Sequence, residues 1–343
     1  MPQNQTTRTL LGICAAILVF AALYLARAVF APIVFALFII AIVWPLQRSL
    51  QARIPKLLAL VVTLLVILAV IIVFAFLMIW AFSRIGQWLV INSVRFQTLY
   101  TQASDWLEQH GISMSSQMAD NFNVSWIIRA VREIGGRLNA FISFMIIAFV
   151  FTLLGLLEVD IAKRNIGRIE NKAIANSLSQ AGSDIAAKLQ KYMLVRSVMS
   201  ILTGAEIWGV VLLAGLELAT AWGVIAFVLN YIPFIGPAVA TVFPTLFAAA
   251  QFGSWEIALV VFVCLNLIQF LIGSYLEPRI AGAALSVSPF LILFAVFFWS
   301  FLWGIPGAFI GVPIVIAFLT ICDEHKSSKW VARLLSGRDD ATV

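Results

Sequence analysis

The sequence predicts an all-α, polytopic integral membrane protein of about eight membrane segments. Two of these are broken or re-entrant helical hairpins, and amphipathic interfacial helices accompany them. Three observations carry that prediction. Of 343 residues, 62% are hydrophobic and 11% charged, with a mean hydropathy of +1.03, whereas a soluble domain carries roughly a quarter charged residues. Apolar runs of span length recur along the chain. Two of the runs exceed one bilayer crossing and are interrupted by Pro and Gly.

A span needs about 20 apolar residues at about 1.5 Å each. Leu10 to Phe30 fits the first and, lacking an Ala-x-Ala-like cleavage site, reads as a retained span. Arg27 falls near its end, where a long side chain can snorkel. Ala31-Pro32 is expected to punctuate the chain, with Ile33 to Trp44 ending at Pro45. A loop with Arg48, Arg53 and Lys56 follows, then a third span, Leu57 to Phe82. Residues 84–137 are polar, mixed in charge and dotted with Trp88, Trp106 and Trp126, which suits an interfacial layer. Leu138 to Leu157 is the fourth span.

Residues 158–196 carry seven Lys/Arg against four Asp/Glu. Ile174, Leu178, Ala181, Ile185, Leu189 and Tyr192 form one apolar stripe there, as on an amphipathic helix. Such a helix suits the membrane surface, neighbouring helices or an oligomer contact. Ser197 to Ala214 is the fifth span. Basic residues concentrate in the N-terminal tail, the 45–57 loop, residues 158–196, the Arg279 loop and the C-terminal tail. The positive-inside rule therefore places both termini in the cytoplasm and 84–137 outside.

Leu218 to Phe252 holds 35 uncharged residues. As one straight helix it would measure about 52 Å, against about 30 Å of hydrocarbon. The break Asn230-Tyr231-Ile232-Pro233-Phe234-Ile235-Gly236-Pro237 divides it into arms 218–231 and 238–251. Bare backbone in lipid is costly, so such breaks survive only where protein or a water-filled cavity surrounds them. Trp255 to Tyr275 is a further span, ending at Glu277-Pro278-Arg279. Leu285 to Ile321 repeats the theme, with breaks expected at Gly304-Ile305-Pro306-Gly307 and near Gly311-Val312-Pro313. Units 197–252 and 255–321 thus read as a candidate inverted repeat. The resulting layout is spans at 1–83, an extracytoplasmic segment at 84–137, a fourth span at 138–157, a cytoplasmic segment at 158–196, a transport core at 197–322 and a tail at 323–343.

Several function classes lack their parts. The basic residues lie between apolar runs and form no stripe, so no nucleic-acid partner is expected. Cys14, Cys264 and Cys322 are widely separated and match no metal or disulfide framework. No His-Glu-x-x-His, no Gly-x-Ser-x-Gly and no Gly-x-x-x-x-Gly-Lys occurs, so metal or serine hydrolysis and ATP-driven pumping are not expected. No cofactor and no metal are implied.

The candidate solute or ion pathway is polar or broken sequence inside apolar runs. Glu206 is the only carboxylate well inside a span, for proton or cation coupling or for a structural partner. Asn230, Tyr231, Pro233, Gly236 and Pro237 form the first break, and Asn266 and Gln269 are neutral polar groups that either line a path or join helices. Glu277 and Arg279 flank a proline as a local ion pair or gate. Gly304, Pro306, Gly307 and Gly311 are the gating or structural elements of the second run, where small residues let helices approach closely.

The Asn230–Pro237 octapeptide, Glu277-Pro278-Arg279-Ile280 with Ser288-Pro289, and Gly304-x-x-Gly307-x-x-x-Gly311-Val312-Pro313 resemble the autoinducer-2 exporter (PerM-like) family of bacterial membrane transporters, over about residues 10 to 325. Lys188, Tyr192 and Arg196 before span five look similar too. The resemblance implies a multi-pass inner-membrane protein, in contact with lipid, that assembles as a homo-oligomer such as a pentamer. It implies secondary export of a small polar solute, the quorum-sensing signal autoinducer-2 being the eponym. Sodium or lithium/proton antiport is the alternative the family also offers, with proton or sodium as partner. A membrane scaffold that transports nothing is the third reading.

Overall fold

The computed structural model describes residues 2–110, 124–281, 287–324 and 328–335. The side chains of Trp106 and Trp126, the start of the second long run at Leu285, and His325 lie outside the described residues. Among the described residues the chain is helical with no strand: α1 (Pro2–Leu25), α2 (Arg27–Gln51), α3 (Lys56–Ile91), α4 (Ser93–Gln109), α5 (Val124–Gly167), α6 (Lys172–Leu213), α7 (Ala219–Leu229), α8 (Ile235–Phe252), α9 (Trp255–Leu271), a π-helical turn (Ile272–Leu276), α10 (Glu277–Ala281), α11 (Pro289–Trp303), α12 (Ile305–Glu324) and α13 (Lys329–Leu335). Among the described residues, eight helices are long and apolar enough to cross a membrane. With apolar side chains exposed along them, such as Leu18, Leu65, Phe76 and Phe301, the chain is a multi-pass α-helical membrane protein.

The first break does not fall at Ala31-Pro32. It falls at Ala26, and Pro32 and Pro45 both lie inside α2. A proline ring clashes with the carbonyl four residues earlier, so its disturbance appears upstream, and only one backbone bond is lost. Pro313 likewise sits inside an unbroken α12, so the expected second break near Gly311 is absent. The helices also overrun their predicted ends: α3 continues to Ile91, α5 joins the fourth span to the residues before and after it, and α6 joins the 172–196 stripe to the fifth span. Along that stripe exposure falls from 51% at Ile174 and 49% at Leu178 to 4% at Leu189.

The chain forms two compact units. One comprises 1–65, 144–190 and 285–343; the other comprises 66–143 and 191–284. In the first, α11 and α12 form a hairpin, with α12 also against α2 and α13. Ser288 caps α11 by accepting the Leu291 N–H at 3.2 Å, and Pro289 follows where a helix needs no donor. Lys56 pairs with Asp160.

In the second unit, α7 and α8 form the other hairpin, and α8 packs on α9 and α4. Its core is built largely from small residues, including Ala219, Ala226, Ala240, Ala248 and Ala250, with Trp222 against Phe247 at 5.4 Å. Small side chains let helices approach closely. Trp88 belongs to this core, 7% exposed, and is not an interfacial anchor. Its ring lies 4.1 Å from Phe247, and its indole N–H donates to the Glu217 carboxylate at 2.7 Å. Gln251 joins the open end of the hairpin by accepting the Glu217 N–H at 2.8 Å and donating to the Gly215 carbonyl at 3.0 Å. Trp88→Phe keeps the ring packing and removes the charge-assisted bond, so it is expected to cost about 2 kcal/mol. A lowered thermal melting temperature in detergent, with a smaller drop for Glu217→Gln, checks this.

Candidate functional site

The site in the second unit begins with glycine. A Cβ at Gly223 of α7 would lie 2.8 Å from the Gly204 carbonyl of α6 and 2.8 Å from the Trp208 Cβ. Gly204 and Gly223 therefore let the two backbones touch, in antiparallel register. That register carries the break to the α6 residues one to two turns earlier. Asn230, 4% exposed, donates to the Ser200 hydroxyl at 3.4 Å, and the Tyr231 and Ser197 hydroxyls are bonded at 3.1 Å. Phe74 and Phe227 pack on the Tyr231 ring at 5.5 and 5.9 Å.

The break itself is compact. Phe234 holds φ 62°, ψ −46°, a conformation costing about 1–3 kcal/mol in a non-glycine residue. The Pro233 carbonyl accepts the Ile235 N–H at 2.7 Å and the Ile232 carbonyl accepts the Gly236 N–H at 3.0 Å. A Cβ at Gly236 would overlap the Leu229 carbonyl and sit 2.6 Å from the Asn230 Cα. Pro237 occupies the first turn of α8, where its missing donor costs nothing.

One face of α6 lines this region with polar groups. Arg196, Ser200 and Thr203 are buried at spacings of four and three, and Glu206 follows three residues on. Both carboxylate oxygens of Glu206, and the Thr203 hydroxyl, are buried with no hydrogen-bond partner among the described residues. Among the described residues, no ion pair neutralises Glu206. Ionised carboxylates in such surroundings are costly and tend to mark ion or proton pathways.

Other predicted residues fall differently. Glu277 does not pair with Arg279. Its partner is Arg196, at 3.2 Å, whose guanidinium also lies 5.8 Å from the Tyr192 ring centre. Arg279 stacks over Tyr275 at 3.9 Å. Residues two apart on a helix point in opposite directions, so a 277–279 pair is geometrically poor. Arg196 is 10% exposed and Glu277 30%, so losing the glutamate strands the deeper charge. Glu277→Gln is expected to cost about 3 kcal/mol and Arg196→Gln less. The double variant should recover part of the loss when the thermal melts are compared.

Asn266 donates to the Phe262 carbonyl of its own helix at 2.8 Å, while the Gln269 amide nitrogen is buried without a partner among the described residues. In the other unit, Gly307 and Gly311 do serve close approach. A Cβ at Gly307 would overlap the Trp299 carbonyl, and one at Gly311 would lie 2.8 Å from the Ala295 carbonyl. Gly304 meets nothing in that way; it is needed for φ 67°, ψ −144° at the turn, which only glycine adopts readily. Pro306 sits in the first turn of α12. Among the described residues no cluster could hold a metal ion.

A multi-pass helical bundle with two helical hairpins, and a polar face along a span beside one of their turns, defines a class of membrane transport proteins. The AI-2E family transporter profile matches residues 13–327, and the chain belongs to that family. Similar proteins include a "Putative transport protein" of Borreliella burgdorferi, 32% identical over 62% of this chain and 58% of that one. The AI-2 transport protein TqsA of Escherichia coli is 26% identical over 91% of this chain and 90% of its own length. A protein of Haemophilus influenzae, described like the first, is 25% identical over 97% of each chain.

Proposed function

We propose that this chain is a secondary transporter that exports a small polar solute across the bacterial inner membrane. Autoinducer-2 is the first candidate solute, after the name of the Escherichia coli relative. The observation that supports the reading most is the polar face of α6, Arg196 to Glu206, beside the Asn230–Tyr231 break. Ser197, Ser200, Asn230 and Tyr231 supply hydroxyls and an amide to a polar solute, and Glu206 supplies a carboxylate that can load a proton or a cation. Basic residues beside the spans favour cytoplasmic termini, and assembly into a homo-oligomer such as a pentamer belongs to the same proposal.

The buried Glu206 carboxylate also favours a second reading, sodium or lithium/proton antiport. Purified protein in liposomes separates the two. An exporter moves labelled autoinducer-2 with no sodium or lithium requirement; an antiporter moves protons only when sodium or lithium is supplied. If neither moves, the chain is a scaffold and both readings fail.

A further inference from the structure

Where α2 ends, the first unit carries cations that the chain itself does not neutralise. There α2 and α5 run side by side in the same direction. The Phe35 and Phe144 ring centres are 5.4 Å apart, a Cβ at Gly155 would overlap the Ile40 side chain, and Lys163 lies 4.4 Å over the Trp44 ring. Pro45 has no N–H, so the Ala41 carbonyl loses its ordinary helical donor. The Gln190 side-chain amide replaces it at 2.8 Å, and α2 continues to Gln51. Arg48 therefore falls one turn beyond Trp44 on the same side of the helix.

Asp160 precedes Lys163 by three residues and Arg164 by four, a spacing that would allow an ion pair with either. It is taken instead by Lys56, at the start of α3. Each step across the patch is thus a contact or one helical turn: Arg48 to Trp44, Trp44 to Lys163, Lys163 to Asp160, Asp160 to Lys56. Glu158, two residues before Asp160, points to another side of α5. Arg48, Lys163 and Arg164 are exposed and form no ion pair among the described residues. Like charges held this close repel one another, and an anion brought among them is attracted by all three.

We propose that this patch binds the phosphodiester headgroup of an anionic phospholipid. Arg48 and Lys163 supply charge-assisted donors to phosphate oxygens, and Trp44 is the ring type that settles at headgroup depth. Leu46, Leu57 and Leu58, 41%, 71% and 55% exposed, flank the cations along the chain. They offer apolar surface to acyl chains, which a soluble anion would leave bare. A zwitterionic headgroup brings a cation of its own, which the patch repels. Basic clusters at the ends of spans attract anionic headgroups in this way. The proposal needs only a multi-pass membrane chain and holds whatever solute the chain moves.

Native mass spectrometry of the full-length protein, with phosphatidylglycerol and phosphatidylcholine in competition, tests it. The wild type is expected to retain phosphatidylglycerol in preference. Arg48→Gln and Lys163→Gln should each weaken that retention about fivefold, and the double variant more. Lys163→Arg should keep it, and Arg8→Gln, which removes the same charge from α1, should leave it unchanged. Thermal melts in phosphatidylcholine nanodiscs should stay level for all of them. If Lys163→Gln melts lower there, Arg48→Gln alone decides. Equal retention of the two lipids, undiminished retention in Arg48→Gln, or an equal loss in Arg8→Gln overturns the site. Displacement of the lipid by inorganic phosphate also overturns it and assigns the cations to a soluble anion.

Discussion

Gly307→Ala is expected to disrupt the α11–α12 hairpin, lowering stability by about 3 kcal/mol or more and reducing the folded yield from membranes. The added Cβ would overlap the Trp299 carbonyl oxygen and carbon, with the Trp303 Cβ at 3.0 Å. A flexible side chain could swing aside, but a carbonyl inside a helix is fixed by its own turn. Overpacking a core ordinarily costs about 1–3 kcal/mol, and a backbone obstacle belongs at the top of that range. Gly304→Ala serves as the comparison. It meets no neighbour and should cost only the strain of its positive φ, about 1–3 kcal/mol. A thermal melt in detergent ranks the two; Gly304→Ala proving the worse would overturn the close-approach account of Gly307.

Glu206→Gln is expected to separate function from stability. The amide keeps the shape of the carboxylate and removes a charge that has no partner among the described residues. Unpaired buried charges destabilise proteins, so the melting temperature should stay level or rise. Coupled transport and its pH dependence should be lost, by two orders of magnitude or more in rate if Glu206 carries the coupling proton or cation. Liposome transport measured across pH checks this. A variant with the wild-type rate and pH profile would return Glu206 to a structural role.

The sequence made the hairpins legible because length is a hard constraint. Thirty-five uncharged residues between Leu218 and Phe252 cannot cross once, and the structure divides them at Asn230–Phe234. Single prolines were harder to read. Pro32, Pro45 and Pro313 each remove one bond, and a neighbour can supply the substitute, as Gln190 does for Ala41. That compensation comes from 149 residues away, outside any local pattern. The same holds for Arg196 and Glu277, whose pairing depends on how α6 meets the end of α9. Trp88 was misread because its segment is polar on average, while its own ring packs on Phe247 within the buried core. At the candidate site, the polar residues of the break were visible as breaches of an apolar run. Their partners Ser197 and Ser200 were not, since a serine at a span entrance carries no signal of its own. Tracing four-residue and three-residue steps back from Glu206 would have found the buried face.

The π-helical turn at Ile272–Leu276 fits one more residue into a turn than an α-helix holds. Each residue of an α-helix advances the azimuth by about 100°. Deleting one residue from that turn would restore regular winding and swing Glu277 about a quarter of a revolution away from Arg196. The surplus residue therefore acts as a phase adjuster, letting α9 present one face to its apolar neighbours and a rotated face to the Arg196 guanidinium.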